Sequence, residues 1–223
     1  MKRSKSKSKS LKRTWYADGT LNEVYYLIGS RKDGIYKKFD KKGKELLSRN
    51  YKNGKLDGKS TEVVLAGDGI AEFNFVDGKQ NGWQFVYYEG KLRKKYQCVN
   101  GKLDGSYFVY MENGDVRLAC QMCGGKLCGE YKSWLSNGEL EAHLNFVDGD
   151  RHGKCIKFLK GNYVIGYFDK GKPIKKWKEI DRNGKTIRIL ISTPLVSKCI
   201  FGNNGRLSML DSYLHPLNPL FSE

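Results

Sequence analysis

The chain is built from short runs in which apolar and polar residues alternate, broken at regular intervals by glycine. WQFVYY after Gly82 and KLRKKYQC after Gly90 are two such runs, rich in Tyr, Phe, Trp, Val, Leu and Lys. Alternation over so short a run has the period of a β-strand, with residues i and i+2 on one face. The glycines fall on three ladders. One runs Gly19, Gly43, Gly67, Gly90, Gly114, Gly138, Gly161, Gly184; a second Gly54, Gly78, Gly101, Gly125, Gly149, Gly171; a third Gly34, Gly58, Gly82, Gly105, Gly129, Gly153, all in steps of 22 to 24 residues. Many sit in Asn-Gly, Asp-Gly or Lys-Gly steps, where the backbone takes positive φ to reverse direction, so each repeat reads as a β-hairpin joined to the next by another tight turn. The predicted fold is all-β: a single elongated twisted antiparallel β-meander of about seven to eight hairpin repeats with a period of about 23–24 residues. Residues 15 to 190 are expected to form about 14 to 16 short strands in sequential order, with nearly no helix before residue 190.

The unit NGKLDG followed by SYFVYMENGDVRL resembles the MORN-variant repeat, roughly NGKxxGxWxxYYxNGxL, of the YwqK-type proteins. The resemblance covers about residues 15 to 190 and recurs in every unit. It implies the same hairpin architecture. Such repeats occur in antitoxin-type proteins, in membrane-associated scaffolds, beside some lysine methyltransferase domains and in many proteins of large amoebal viruses, so the resemblance implies partners more than chemistry. Two positions depart from it: Ser30 stands where the second ladder has glycine, and Lys175 where the third does.

Five residues past the third ladder lie Phe39, Val63, Tyr87, Tyr110, Trp134, Phe158 and, counted from Lys175, Ile180. This column of large side chains, with residues one and three past the ladder on the same side, is expected to be the buried stripe, completed by stacking neighbouring hairpins. After Gly82 and Gly105 both strand faces are apolar: Trp83, Phe85, Tyr87, Phe108 and Tyr110 alternate with Val86, Tyr88, Tyr107 and Val109. A one-layer sheet needs one dry face, so the second is covered by the chain's own tail, covered by a partner, or buried by curvature alone. The predicted partner-binding residues are Trp83, Phe85, Tyr107 and Phe108, with aromatics supplying most of the contact energy.

Composition sharpens this picture at the N-terminus. The 223 residues hold 41 Lys and Arg against 24 Asp and Glu, a formal net charge of +17 and a sequence pI near 9.5. Such a chain attracts nucleic acid, an acidic membrane surface or an acidic protein; equally, Lys can fill solvent faces and strand edges. Residues 1–13 carry Lys2, Arg3, Lys5, Lys7, Lys9, Lys12 and Arg13 with no acid and nothing to build a core, which reads as a flexible basic arm binding a polyanion or simply aiding solubility. No apolar stretch follows these charges as a signal peptide requires, and none reaches transmembrane length. The expected location is therefore intracellular, in cytoplasm or nucleus or packaged in a virus particle, and the six cysteines are expected to be reduced.

The domain plan is a basic arm over 1–13, a repeat sheet over 14–191 and a C-terminal cap or docking tail over 192–223. In that tail the glycine period is lost, Pro194, Pro216 and Pro219 enter, and Leu207, Leu210 and Leu214 fall at helical spacing before Pro216.

Candidate chemistry is thin. Cys120, Cys123 and Cys128 with His152 could supply four zinc ligands, but equivalent positions in adjacent hairpins lie about 9 to 10 Å apart, too far for shared coordination. GKLDGKS at Gly54–Ser60 encloses three residues between its glycines where a phosphate loop needs four, and it leads into a strand where that loop leads into a helix. His143, His152 and His215 lie in no nucleophile or metal motif, and Asp57, Asp104 and Asp148 sit in turns, where Asp serves backbone geometry. The expectation is no cofactor, no metal and no enzymatic activity: a scaffold that binds a protein partner on its sheet face and a polyanion through its arm. The alternative is an antitoxin-like inhibitor of the YwqK type, against which the basic charge argues, because an inhibitor of a nucleic-acid-directed toxin imitates an acidic substrate.

Overall fold

The computed structural model describes residues 8–64, 69–159, 161–194 and 200. The chain divides into two units, Met1–Lys102 and Leu103–Glu223, and each is a meander of antiparallel hairpins. The first contains β1 (Lys9–Trp15), β2 (Leu21–Ile28), β3 (Arg31–Phe39), β4 (Glu45–Lys52), β5 (Lys55–Leu56), β6 (Gly58–Val64), β7 (Gly69–Val76), β8 (Lys79–Gln80), β9 (Gly82–Tyr88) and β10 (Lys91–Val99). The second starts with β11 (Lys102–Tyr110) and continues through β12 (Val116–Cys123), β13 (Lys126–Trp134), β14 (Leu140–Val147), β15 (Asp150–Arg151), β16 (Gly153–Leu159), β17 (Asn162–Asp169), β18 (Lys172–Ile180) and β19 (Thr186–Leu190). Within each unit the long strands pair antiparallel in sequential order, as the alternation predicts, with β4, β7 and β14 each pairing both the short piece that follows and the longer strand beyond it. Three of the nineteen, β5, β8 and β15, are two-residue pieces. Among the described residues no helix precedes residue 194.

The ladders make three different structures. At the second ladder the turns Asn53–Gly54, Asp77–Gly78, Asn100–Gly101 and Asp148–Gly149 have both φ values positive, the two-residue hairpin geometry that matches strand twist. Lys170–Gly171 does the same, and in the β2–β3 hairpin Gly29, at +63°, takes the role that Ser30 cannot. Gly19, Gly43, Gly114, Gly138 and Gly184 of the first ladder close longer turns, Gly43 donating to the Asp40 carbonyl at 3.0 Å while Asp40 N–H donates to Lys44 O at 2.9 Å; Gly90, after Glu89, closes a two-residue turn instead. Third-ladder glycines lie inside or at the start of strands with φ between +66° and +107°, and Lys175 reaches +60° in their place. Here the strand bulges and bends, which is why β5, β8 and β15 are separate from the strands that follow them.

The bends let successive turns lean on one another. Gly54 donates to Lys32 O at 2.8 Å, Gly78 to Leu56 O at 2.7 Å and Gly101 to Gln80 O at 2.8 Å; in the second unit Gly125 donates to Leu103 O at 2.7 Å, Gly149 to Leu127 O at 2.9 Å and Gly171 to Arg151 O at 2.9 Å. Asp57 Oδ2 and Asp104 Oδ2 each accept from a backbone N–H of the following turn, Asp77 at 3.3 Å and Gly124 at 3.0 Å.

The core is not the stripe expected from the largest side chains. Residues two and four past the third ladder are buried: Gln84 and Val86, Tyr107 and Val109, Tyr131 and Ser133. In register they oppose the buried set of the returning strand, with Tyr107 opposite Cys120, Val109 opposite Leu118 and Tyr131 opposite Leu144. The returning strands decide the matter, because β7, β12 and β14 alternate cleanly between Phe73, Phe75, Leu118, Met122, Leu144 or Phe146 inside and Glu72, Asn74, Gln121 or Asn145 outside. Phe39, Val63, Tyr87, Tyr110, Trp134, Phe158 and Ile180 are half-buried instead. Each large side chain withdrawn fully from water contributes about 1.5–3 kcal/mol. Arg151 is an outlier among them: it is 2% exposed, stands opposite Phe146 and packs 5.6 Å from the Phe168 ring, and burial lowers its pKa.

Two further expectations change. Residues 9–13 are not a flexible arm but most of β1, in which Lys12 pairs with Tyr25 and Arg13 with Val24. A lysine-rich sequence fits an edge strand because solvated ammonium groups discourage pairing with other chains. Nor are all cysteines reduced: Cys123 and Cys128 form a disulfide across the β12–β13 turn, with Cα atoms 5.8 Å apart. The predicted helix at 207–214 and most of the tail lie outside the described residues.

Candidate interaction surfaces

β9 carries the densest aromatic run. Burial of Gln84 and Val86 puts Trp83, Phe85 and Tyr87 on the opposite face, where all three are half-buried. Adjacent ring centroids are 6.5 and 6.4 Å apart, and the planes differ by 31° and 22°. Gln84, with no exposed surface, holds this row from behind. Its Oε1 accepts from the Asn74 N–H at 2.9 Å, and its amide donates to Gly82 O at 3.0 Å and Asn74 O at 3.3 Å. The Asn74 side chain in turn donates to Trp83 O at 2.6 Å. Asn50 and Asn145 repeat that stitch across their own bulges, donating to Lys59 O and Lys154 O.

Charges border the row. Lys95 pairs with Phe85 in register and places its Nζ 4.3 Å from the Trp83 ring. Glu72 lies opposite Phe85 from the other side and accepts from Lys59 at 3.0 Å. Burial, with Glu72 adding to it and Lys59 opposing it, raises the pKa of the Tyr87 phenol.

In the second unit Phe108 and Tyr110 form a shorter row, 6.4 Å apart and both half-buried. Tyr107 does not join it. At 2% exposure it belongs to the core, so of the four residues expected to meet a partner, Trp83, Phe85 and Phe108 are on partly open surface and Tyr107 is not.

Of the expected polyanion-binding residues, Lys9, Lys12 and Arg13 project from β1 and are exposed. Lys9 lies 3.7 Å from Asp33 and 5.0 Å from the Tyr26 ring. Lys2, Arg3, Lys5 and Lys7 lie outside the described residues. Positive charge is concentrated in the first unit, which holds 24 Lys and Arg against 11 Asp and Glu; the second holds 17 against 13. Sequence reasoning missed a third feature, a lysine held among tyrosines. Lys32 Nζ is 4.0 Å from the Tyr36 ring, 5.3 Å from Tyr51 and 5.4 Å from Tyr25, and burial lowers its pKa. Tyr36 Oη donates to Glu23 at 2.7 Å. This cradle is filled by the protein's own ammonium.

The cysteines and histidines are dispersed. Cys123 and Cys128 are bonded to each other, while Cys120 is buried on the opposite face of β12 and its thiol is pushed up to about 12 by burial. His152 Nδ1 lies 3.4 Å from Asp169 and His143 Nε2 3.2 Å from Glu130. Among the described residues no three His, Cys, Asp or Glu side chains gather as a metal site, and no helix is long and apolar enough to cross a membrane.

No family model and no curated protein matches the chain. Among solved structures, a crystal structure of S. aureus TarM in complex with fondaparinux, alpha-GlcNAc-glycerol and UDP is similar at 16% identity and a TM-score of 0.30, over 50% of this chain and 19% of that one. A second TarM crystal structure is similar at 18% identity and a TM-score of 0.29, over 53% of this chain and 20% of that one. The chain thus spans about a fifth of the length of these proteins.

Proposed function

We propose that the protein is a non-enzymatic interaction scaffold: its first unit binds a polyanion, its second unit takes a protein partner on the aromatic face at Phe108 and Tyr110, and it works inside a larger intracellular assembly of the virion type. The observation that carries this reading is the partition of charge, 24 cations against 11 acids in the first unit and 17 against 13 in the second. A surplus concentrated in one unit draws a polyanion there, while a more nearly balanced unit with half-buried aromatics suits a protein interface. The MORN-variant resemblance supports the assembly and the scaffold role. The same charge weighs against an antitoxin-like inhibitor.

The test is the salt dependence of binding to a single-stranded oligonucleotide. Deleting residues 1–7 removes Lys2, Arg3, Lys5 and Lys7 and leaves β1 whole; adding Lys12→Gln and Arg13→Gln removes two more charges. Each lost phosphate contact reduces the slope of log K against log salt by about 0.7. Identical slopes for the full chain and both variants refute a polyanion-binding role for the N-terminal cations.

A further inference from the structure

We propose that the Trp83–Phe85–Tyr87 row of β9 is a stacking platform for single-stranded nucleic acid; this rests on the polyanion reading above and names the polyanion. The row aligns three half-buried aromatic side chains, with neighbouring planes within 31° of each other, and Lys95 Nζ lies over one face of Trp83, from which an incoming base would have to displace it. Bases of a single strand have free π-faces that stack on such rings whatever their sequence, whereas a duplex offers only its phosphates and groove edges.

The polar neighbours favour nucleic acid over protein. A protein-binding hot spot has an apolar centre depleted of charge. Here Lys95 sits over Trp83, and the Lys59–Glu72 pair lies beside Phe85. Rings and ammonium groups thus interleave on one face, as in grooves that track a phosphate backbone while bases stack. The same face carries Arg13, Val24, Lys37, Ser48 and Thr61 in register across β1 to β6, so two further cations lie on it, Lys37 paired with Glu45 at 2.7 Å and Arg13 exposed at the far end. Charge complementarity is supplied by the surplus of the whole first unit. Gln84 and Asn74 fix the backbone beneath, so the platform exists before the ligand arrives and little ordering cost falls on binding.

The experiment uses the full chain and three labelled polyanions at matched salt: oligo-dT of about 20 nucleotides, a duplex of the same length, and heparin, which carries charge without bases. Oligo-dT is expected to bind about tenfold more tightly than either of the others and to quench tryptophan emission. The double variant Trp83→Leu, Phe85→Leu is expected to weaken oligo-dT by about tenfold or more and leave heparin unchanged, with thermal melting to show that it folds. Lys95→Gln is expected to flatten the salt slope for oligo-dT by about 0.7.

If oligo-dT, duplex and heparin bind alike and the ring variant changes none of them, the platform is refuted while polyanion binding stands. If none of the three binds at low salt, both readings fall. Should the ring variant not fold, the intact chain decides: saturation with oligo-dT without tryptophan quenching overturns the platform.

Discussion

Gln84 shows how a polar residue comes to lie at the centre of a β-sheet core. A bulge at Asn81–Gly82 leaves backbone groups that the regular ladder would have paired, and the Gln84 amide meets them from inside the sheet. Its removal therefore strands the Asn74 N–H and takes a bond from the Gly82 carbonyl, while the Asn74 carbonyl keeps the Asn81 N–H at 2.8 Å. Gln84→Leu, nearly the same size, is expected to lower unfolding stability by about 2–3 kcal/mol, because orphaned buried donors and acceptors pay their full desolvation cost. Urea denaturation measures this; a loss below about 0.5 kcal/mol, the range of an ordinary surface change, contradicts the role assigned to the side chain. At this scale the sequence was legible where backbone geometry restricts the choice of residue. The Asn-Gly and Asp-Gly steps announced their turns because few residues accept positive φ. Even Lys175 kept the left-handed conformation its place in the ladder demands. The Cys123–Cys128 bond was not legible, since CxxC and a later Cys say nothing of which sulfurs the hairpin brings together.

The strands teach a different lesson. Size was a poor guide to the buried face: Trp83, Phe85 and Tyr87 outweigh Gln84 and Val86, yet the smaller pair is inside. The better signal lay in β12 and β14, returning strands that mostly alternate apolar and polar, with Ala119 and Val147 the apolar residues on the outer face, and register passes that choice to their neighbours. β1 departs from the expected arm for the opposite reason, because an edge strand protected by lysine has the composition of a solvated tail. β19 carries one cation, Arg188, where β1 carries three. It presents Ile187 at 51% and Ile189 at 61% exposure, and it pairs with β18 along one side. Ile187→Lys with Ile189→Lys is expected to reduce self-association in sedimentation or light scattering while leaving the melting temperature nearly unchanged, as exposed sites do. A substantial loss of stability would mean that these side chains are covered in the folded chain.

At the scale of the molecule, repetition made the architecture readable and kept the function obscure. Every repeat must satisfy the same turns and the same core, so those constraints are written many times over. The aromatic row at Trp83 to Tyr87 is written once; in the sequence it stands out as a run apolar on both faces, which does not say what the rings meet. The cations were countable from the start, but their concentration in the first unit emerges only where the chain divides between Lys102 and Leu103.

The turn-to-turn hydrogen bonds carry an evolutionary consequence. Each second-ladder amide asks only that a carbonyl of the preceding repeat stand in the right place, and any repeat supplies one. In the second unit, excising Gly129 to His152 joins Cys128 to Gly153 and brings Gly171 to the Leu127 carbonyl that Gly149 now holds. Array length is then a nearly free variable for a genome, open to unequal recombination in whole units without invention of a new fold. The shortened chain is expected to fold cooperatively with a strand-dominated circular dichroism spectrum and a lower melting temperature, having lost one set of neighbour contacts. A chain that fails to fold after this excision would show that its hairpins are individuals rather than interchangeable modules.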